Sequence, residues 1–301
     1  SIRSYSLPLL LLGNFLGAFG FAIVFGGSIA DSICSGVCGI LIGFTNFYLG
    51  KVKVNPFFTT IAAAFIMALA SYTMNAVGLA PNADTVIIGA LMILVPGLLF
   101  TNAMRDIMHG DTNSGINRIV QVLLIAVAIA LGAAAAWNVL SFIWIAPISP
   151  LPIFHTTWVQ ALACAIGCFG FTILFNIHGP GGLICMTGGV LTWVLYAICL
   201  KLGVGEIASY FWSAVFASIY SEIFARIRKY PAISYLVISI LPLIPGSGVY
   251  YTMEHAVKGE MDLFASKGMF SAAIAGVMAL AILLISTAVR LYSIAKQRKK
   301  V

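Results

Sequence analysis

Two stretches decide how this chain is read: "LVPGLLFTNAMRDIMHGD", Leu94 to Asp111, and "LIPGSGVYYTMEHAVKGE", Leu243 to Glu260. Pro96-Gly97 matches Pro245-Gly246 at an offset of 149, and Met104, Gly110 and Asp111 match Met253, Gly259 and Glu260 at the same offset. The likeness extends upstream. "GAFGFAIVF" from Gly17 pairs with "GCFGFTILF" from Gly167 at an offset of 150, and Gly39 pairs with Gly189. A self-similarity of this length marks two copies of one structural unit, here 1–149 and 150–301.

The setting of the repeat is a bilayer. Of the 301 residues, 61% are hydrophobic and only 8% charged, against roughly 25% charged in soluble domains. Mean hydropathy is +1.05. Apolar stretches follow one another at lengths that suit spanning helices, about 20 residues each. The sequence predicts an all-α integral membrane protein of ten helices, near residues 6–27, 29–50, 57–80, 85–110, 117–146, 156–178, 181–203, 206–227, 232–257 and 266–295. The alternation expected of a membrane β-barrel is missing.

Ten helices divided between two copies give five each. An odd number sends the second copy into the bilayer from the opposite side, the inverted-repeat arrangement found in secondary transporters. Helices four and nine each carry Pro-Gly near the middle and are expected to be broken, because proline removes a backbone donor yet suits the first position of a new helix. The amide groups freed beyond Pro96 and Pro245, with the helix dipole, make an anion site. Proline kinks in continuous helices are the competing explanation, less apt when two occupy corresponding positions.

Charge places the ends. The net charge of +7 is read through the loops rather than as a nucleic-acid signal. Thirteen of the basic residues, among them Lys51, Arg118, Arg226, Arg228 and Arg290, fall on one side, and only Lys201, Lys258 and Lys267 fall on the other. The positive-inside rule makes the first side, with both termini, cytoplasmic. Trp137, Trp144 and Trp158 fit an aromatic belt at the outer face.

Polar residues near the breaks are the candidate site: Asn102, Arg105 and Asp106 after the first, Tyr250, Tyr251, Glu254 and His255 after the second, with Glu254 and His255 alternatively at an outer helix end. Intramembrane acids carry protons in many transporters, which makes Asp31, Asp106 and Glu222 the candidate coupling groups. Each has a structural alternative. Asp31 in "SIAD" reads as a helix cap, Asp106 could belong to a cytoplasmic helix end, and Glu222 lies one helical turn before Arg226, a spacing for an ion pair. The six cysteines lie in apolar helices without His or carboxylate partners, so no metal is expected. Nor are HExxH, Gly-x-Ser-x-Gly or a phosphate-binding loop present, which argues against an enzyme, a cofactor or nucleotide-driven pumping.

The segments "FGGSIADSICSGVCGILIG", "VPGLLFTNAMRDIMHGDTNSGINR" and "SEIFARIRKYPAISYLVISILPLIPGSGVYYTMEHAVKGE" resemble the membrane modules of the threonine/serine exporter family, over nearly the whole chain. The resemblance implies a fused pair of five-helix modules in the bacterial inner membrane, exporting small hydrophilic carboxylates with the proton motive force. By motif it points to Asp31, Pro96, Gly97, Asn102, Arg105 and Asp106, and to Glu222, Arg226, Pro245, Gly246 and Tyr250. Threonine and serine are the expected substrates, and dicarboxylates such as succinate the alternative. A zwitterion wants an acidic partner for its ammonium, whereas a dicarboxylate wants a second cation, for which Arg105 is the candidate. A passive channel or a membrane scaffold is the reading from another class. Expected partners are the substrate, protons and lipid, with no nucleic acid. Glycine-rich helices suit packing within the chain or between copies in a homo-oligomer, and both remain open.

Overall fold

The structure is a computed structural model that describes residues 5–95, 99, 102–103, 106, 110–141, 157–245, 248, 251–252, 255–256 and 258–298. Among these are ten α-helices: α1 (Leu7–Val24), α2 (Ile29–Lys51), α3 (Pro56–Ala76), α4 (Ala83–Leu94), α5 (Thr112–Ser141), α6 (Thr157–Leu174), α7 (Pro180–Lys201), α8 (Glu206–Arg228), α9 (Ala232–Ser239) and α10 (Met261–Arg298). Seven of them, α1, α2, α3, α5, α6, α7 and α10, are long and apolar enough to cross a membrane. The 23-residue α8 has the length but carries Glu206, Glu222, Arg226 and Arg228.

The spans expected for helices four and nine are interrupted ahead of their Pro-Gly pairs. Within the span expected at 85–110, α4 ends at Leu94, and Val95 is extended at φ −71°, ψ 130°. α9 ends after eight residues and passes into a 3-10 turn, Leu241–Leu243, after which Ile244 is extended at φ −63°, ψ 125°. Both extended residues precede a proline, whose Cδ disfavours the helical conformation of the residue before it. Helical residues return at Leu99 and Gly248. Pro245 is buried, while Pro96, Gly97, Arg105, Gly246, Tyr250 and Glu254 lie outside the described residues.

The most extensive helix pairing joins α1 to α6, and glycines make it possible. A Cβ on Gly20 would collide with the backbone of Gly167 and Ala163, and one on Gly170 with the backbone of Gly17 and Gly13. Along α1 the partners run from Gly170 at Gly13, through Phe171 at Gly17, to Ala163 at Gly20, so the two helices are antiparallel. Replacing each member of the pair Gly20 and Gly167 by its repeat counterpart, 150 residues later for the first and 150 earlier for the second, gives Gly170 and Gly17. Phe21 meets its own counterpart, Phe171, edge to face at 5.7 Å between ring centroids. Small residues that let backbones approach are how helices associate in lipid, where no hydrophobic force separates helix from solvent.

Around this seam, α2 and α4 pack on α1 in the first half with α3 beyond, on α2 and α4, and α7 packs on α6 with α8 and α9 beyond. The outer helices pair as α3 with α5 and α8 with α10. One apolar core gathers Ala18, Ile42, Met67 and Ile129, and a second gathers Phe171, Trp193, Ile238 and Met278. Apolar side chains such as Ile33 and Val37 on α2 and Leu183 and Leu191 on α7 face outward, as lipid contact requires.

Gly20→Ala should lower the thermal midpoint of the detergent-purified protein by the equivalent of about 2 kcal/mol or more. Gly50→Ala, at a helical position with open space around the new methyl, should be neutral or slightly stabilising. Equal midpoints for the two variants would show that the α1–α6 seam is not a tight contact.

Candidate functional site

The helix directions sort the charges onto two ends. The start of α1 meets the end of α6, where the Tyr5 amide donates to Asn176 Oδ1 at 3.2 Å and its hydroxyl to Ile177 O at 3.1 Å. That end collects the last turn of α2, the first turns of α5, α7 and α9 and the last turns of α8 and α10, and hence Lys51, Arg118, Arg226 and Arg228. The other end holds the first turns of α2, α4, α8 and α10, with Asp31, Asp84, Glu206 and Asp262. They are called the basic and the acidic end below.

Asp31 is 2% exposed and committed to structure. Its Oδ2 accepts from Ser28 N at 2.9 Å and Ser28 Oγ at 2.7 Å, and its own amide donates back to Ser28 Oγ at 3.1 Å. This is the reciprocal cap that Ser-x-x-acid predicts. Oδ1 accepts from the Asn82 amide at 2.8 Å, and Asn82 in turn caps α4 through Asp84 N and Thr85 N. One carboxylate therefore fixes the starts of two helices on the acidic end.

Asp106 and Glu222 come together at the basic end. Both line a cavity of about 310 Å³, large enough for a small metabolite and near the lower bound for ligand pockets. α8 contributes Ser218, Ser221 and Glu222 at one-turn spacing on one face, α9 contributes Ile233 and Leu236, and α10 contributes Ser286. The seryl hydroxyls donate to carbonyls of their own helices, Ala214 O at 2.8 Å, Ala217 O at 2.7 Å and Leu283 O at 3.1 Å. Their oxygens thus retain acceptor capacity. Asp106 also pairs with Arg118 Nε of α5 at 3.1 Å. An acid from the first half thus reaches a cavity built otherwise by the second half.

The remaining candidates are placed as follows. Asn102 is helical and half-buried. Tyr251, from the second half, packs against the first half's apolar core, just as Asp106 reaches from the first half into the second. Arg226, read in the sequence as a partner for Glu222, extends to α10 and donates to Val289 O at 3.3 Å. His255 pairs with Glu260 on the acidic end. Among the described residues, no group of three or more His, Cys, Asp or Glu side chains could hold a metal ion. The sequence reading missed Ser218, Ser221, Ser286 and Arg118 as site residues. The serines 218 and 221 share a face with Glu222, and that spacing was the available signal.

Family models match both halves in tandem. Residues 1–140 match a model described as "Putative threonine/serine exporter", and residues 160–288 match "Threonine/Serine exporter, ThrE". The chain belongs to the threonine/serine exporter family. It is a fused member, with the two family modules following one another in a single polypeptide. No curated protein and no solved structure matches it significantly. For this exporter-family chain the multi-pass membrane setting follows from the family and from its seven long apolar helices together.

Asp31→Ala should act on stability before transport. It removes three hydrogen bonds and leaves buried donors unsatisfied, which costs about 1–3 kcal/mol and should appear as a lowered thermal midpoint. An unchanged midpoint would show that the tie between α2 and α4 contributes nothing.

Proposed function

We propose that the chain is a secondary exporter of small zwitterionic amino acids, threonine and serine first, loaded through the cavity at its basic end. The observation that carries this reading is the joining of Asp106 from one half with Glu222 from the other in one cavity. An ammonium group suits a cavity with two carboxylates, only one of which is paired with Arg118. A dicarboxylate would bring two more negative charges beside them, which disfavours it. The positive-inside rule makes the basic end cytoplasmic, the side from which an exporter loads.

The architecture proposed for this function is an inverted repeat. Its support is the antiparallel α1–α6 seam, the exchange of Gly20–Gly167 for Gly170–Gly17 and the contact of Phe21 with Phe171. A two-fold axis lying in the membrane plane produces these features. The ends of α4 and α9 before Pro96 and Pro245 support half-helices whose N-termini, at Gly97 and Gly246, receive the substrate carboxylate. Asn102, Arg105, Tyr250 and Tyr251 would hold its polar remainder.

Coupling follows from the same acids. With the cavity open to the cytoplasm, Glu222 receives the ammonium of the entering substrate before it passes inward to Gly97 and Gly246, and Asp106 is neutralised by Arg118. Rocking of one half against the other exposes the site to the outside. A proton entering on the acid that loses its partner discharges the substrate and returns the carrier.

Counterflow of labelled threonine into proteoliposomes, with and without a pH gradient, tests the reading. Glu222→Gln should lower the exchange by about tenfold, the loss of one charge-assisted contact, and Asp106→Asn should abolish the response to the gradient. Both variants exchanging and responding as the parent protein does would refute the assignment. Flux without saturation would indicate a channel, and no flux in the parent protein a scaffold.

A further inference from the structure

The cavity at the basic end carries a chemical bias that comes from its serines as much as from its acids. Ser218, Ser221 and Ser286 line it together with Asp106 and Glu222. Each seryl oxygen bonds a main-chain carbonyl of its own helix: Ser218 at Ala214 O, 2.8 Å, Ser221 at Ala217 O, 2.7 Å, and Ser286 at Leu283 O, 3.1 Å. A carbonyl can only accept, so in every pair the hydroxyl hydrogen is committed to it. This back-bonding is ordinary for serines in helices. Its consequence here comes from position, because the lone pairs that remain belong to the wall of a cavity.

Ionised carboxylates also only accept. Among the described residues, every polar side chain lining the cavity therefore presents acceptors and no donor. The first-turn amides of α9, at Ala232 and Ile233, belong to the rim, where Ile233 is exposed, whereas Ser218 and Ser221 are buried. Leu236 and Ile282, both largely buried, supply an apolar surface beside the acceptors.

A wall of acceptors selects a ligand by its donors. The carboxylates take an ammonium through charge-assisted hydrogen bonds, and the seryl oxygens take a neutral hydroxyl. Helix α8 sets the spacing: Ser218 and Glu222 stand one turn apart, about 5.4 Å along the axis, on the face they share with Ser221. An amine and a hydroxyl on neighbouring carbons bridge that spacing with one hydrogen bond at each end. A carboxylate or phosphate placed in the same position would meet acceptors alone.

We infer that the cavity is a binding site for vicinal amino alcohols, small primary amines with a hydroxyl on the adjacent carbon, and that Ser218 and Ser221 read the hydroxyl. The ligand needs no carboxylate to bind there. Threonine and serine are amines of this kind with a carboxylate added, so the inference deepens the exporter reading and rests on it for the cavity's place in transport. It adds ligands that the exporter reading does not supply, ethanolamine and isopropanolamine, and it assigns the discrimination between threonine and its hydroxyl-free isostere valine to two serines.

Thermal unfolding of the full chain in detergent, at neutral pH and equal ionic strength, tests the binding step apart from transport, with isopropanolamine, propylamine or lactate added. Isopropanolamine should raise the midpoint at concentrations about fivefold lower than propylamine, the worth of one neutral hydrogen bond, and lactate, a hydroxyl with a carboxylate and no amine, should not raise it. Replacing both hydroxyls, Ser218→Ala with Ser221→Ala, should make the two amines equally potent, and Glu222→Gln should weaken both alike. Equal potency of the two amines on the parent chain would overturn the inference, and that comparison stands even where a variant fails to fold. A preference for isopropanolamine that survives the loss of both hydroxyls, or an amine effect unchanged in Glu222→Gln, would overturn it as well. Preference for isopropanolamine without threonine counterflow would refute the exporter reading and leave this site, whereas counterflow with equally potent amines would refute this site and leave the exporter reading.

Discussion

Everything in this fold is arranged around the crossing of α1 and α6. Two backbones can approach so closely only where neither carries a Cβ, and Gly17, Gly20, Gly167 and Gly170 supply that in reciprocal pairs. The gain is van der Waals contact, because a bilayer offers no hydrophobic reward for bringing apolar helices together. With the seam closed, the remaining helices have fixed places. α2 and α4 lie on one side of it, α7 on the other, and the outer pairs α3–α5 and α8–α10 complete the halves.

The antiparallel sense of the seam also separates the charges. It brings the starts of α7 and α9 beside the ends of α2 and α8, so basic termini gather on one end and most helix-capping acids on the other. Glu222, Asp106 and Asp111 at the start of α5 are exceptions among the described residues, acids on the basic end. Asp31 shows the contrast. Its carboxylate is consumed by Ser28 and Asn82, whereas Glu222 lines open space. Identical chemistry is structural in one place and available in the other, and position in the fold decides between them.

Local patterns were legible in the sequence and distant ones were not. The helix count follows from apolar length, and the Ser28–Asp31 cap from a three-residue spacing. The stops at Leu94 and Ser239 follow from prolines, though α9 yields several residues before Pro245 because Pro242 already disturbs its last turn into a 3-10 form. The bond from Asp31 to Asn82 joins residues 51 apart and has no local signature. Ser218, Ser221 and Ser286 look like ordinary small residues of apolar helices until α8, α9 and α10 are assembled around them.

The exporter account depends on the cavity between Asp106 and Glu222 being the cytoplasmic entrance for the substrate. A single thiol placed in it reports on that directly: Ser218→Cys in a background where the six native cysteines are replaced, labelled by a membrane-impermeant reagent in oriented vesicles. The account predicts labelling from the cytoplasmic side that threonine suppresses. Labelling from the outer side, or labelling from the inside that threonine leaves unchanged, would contradict it.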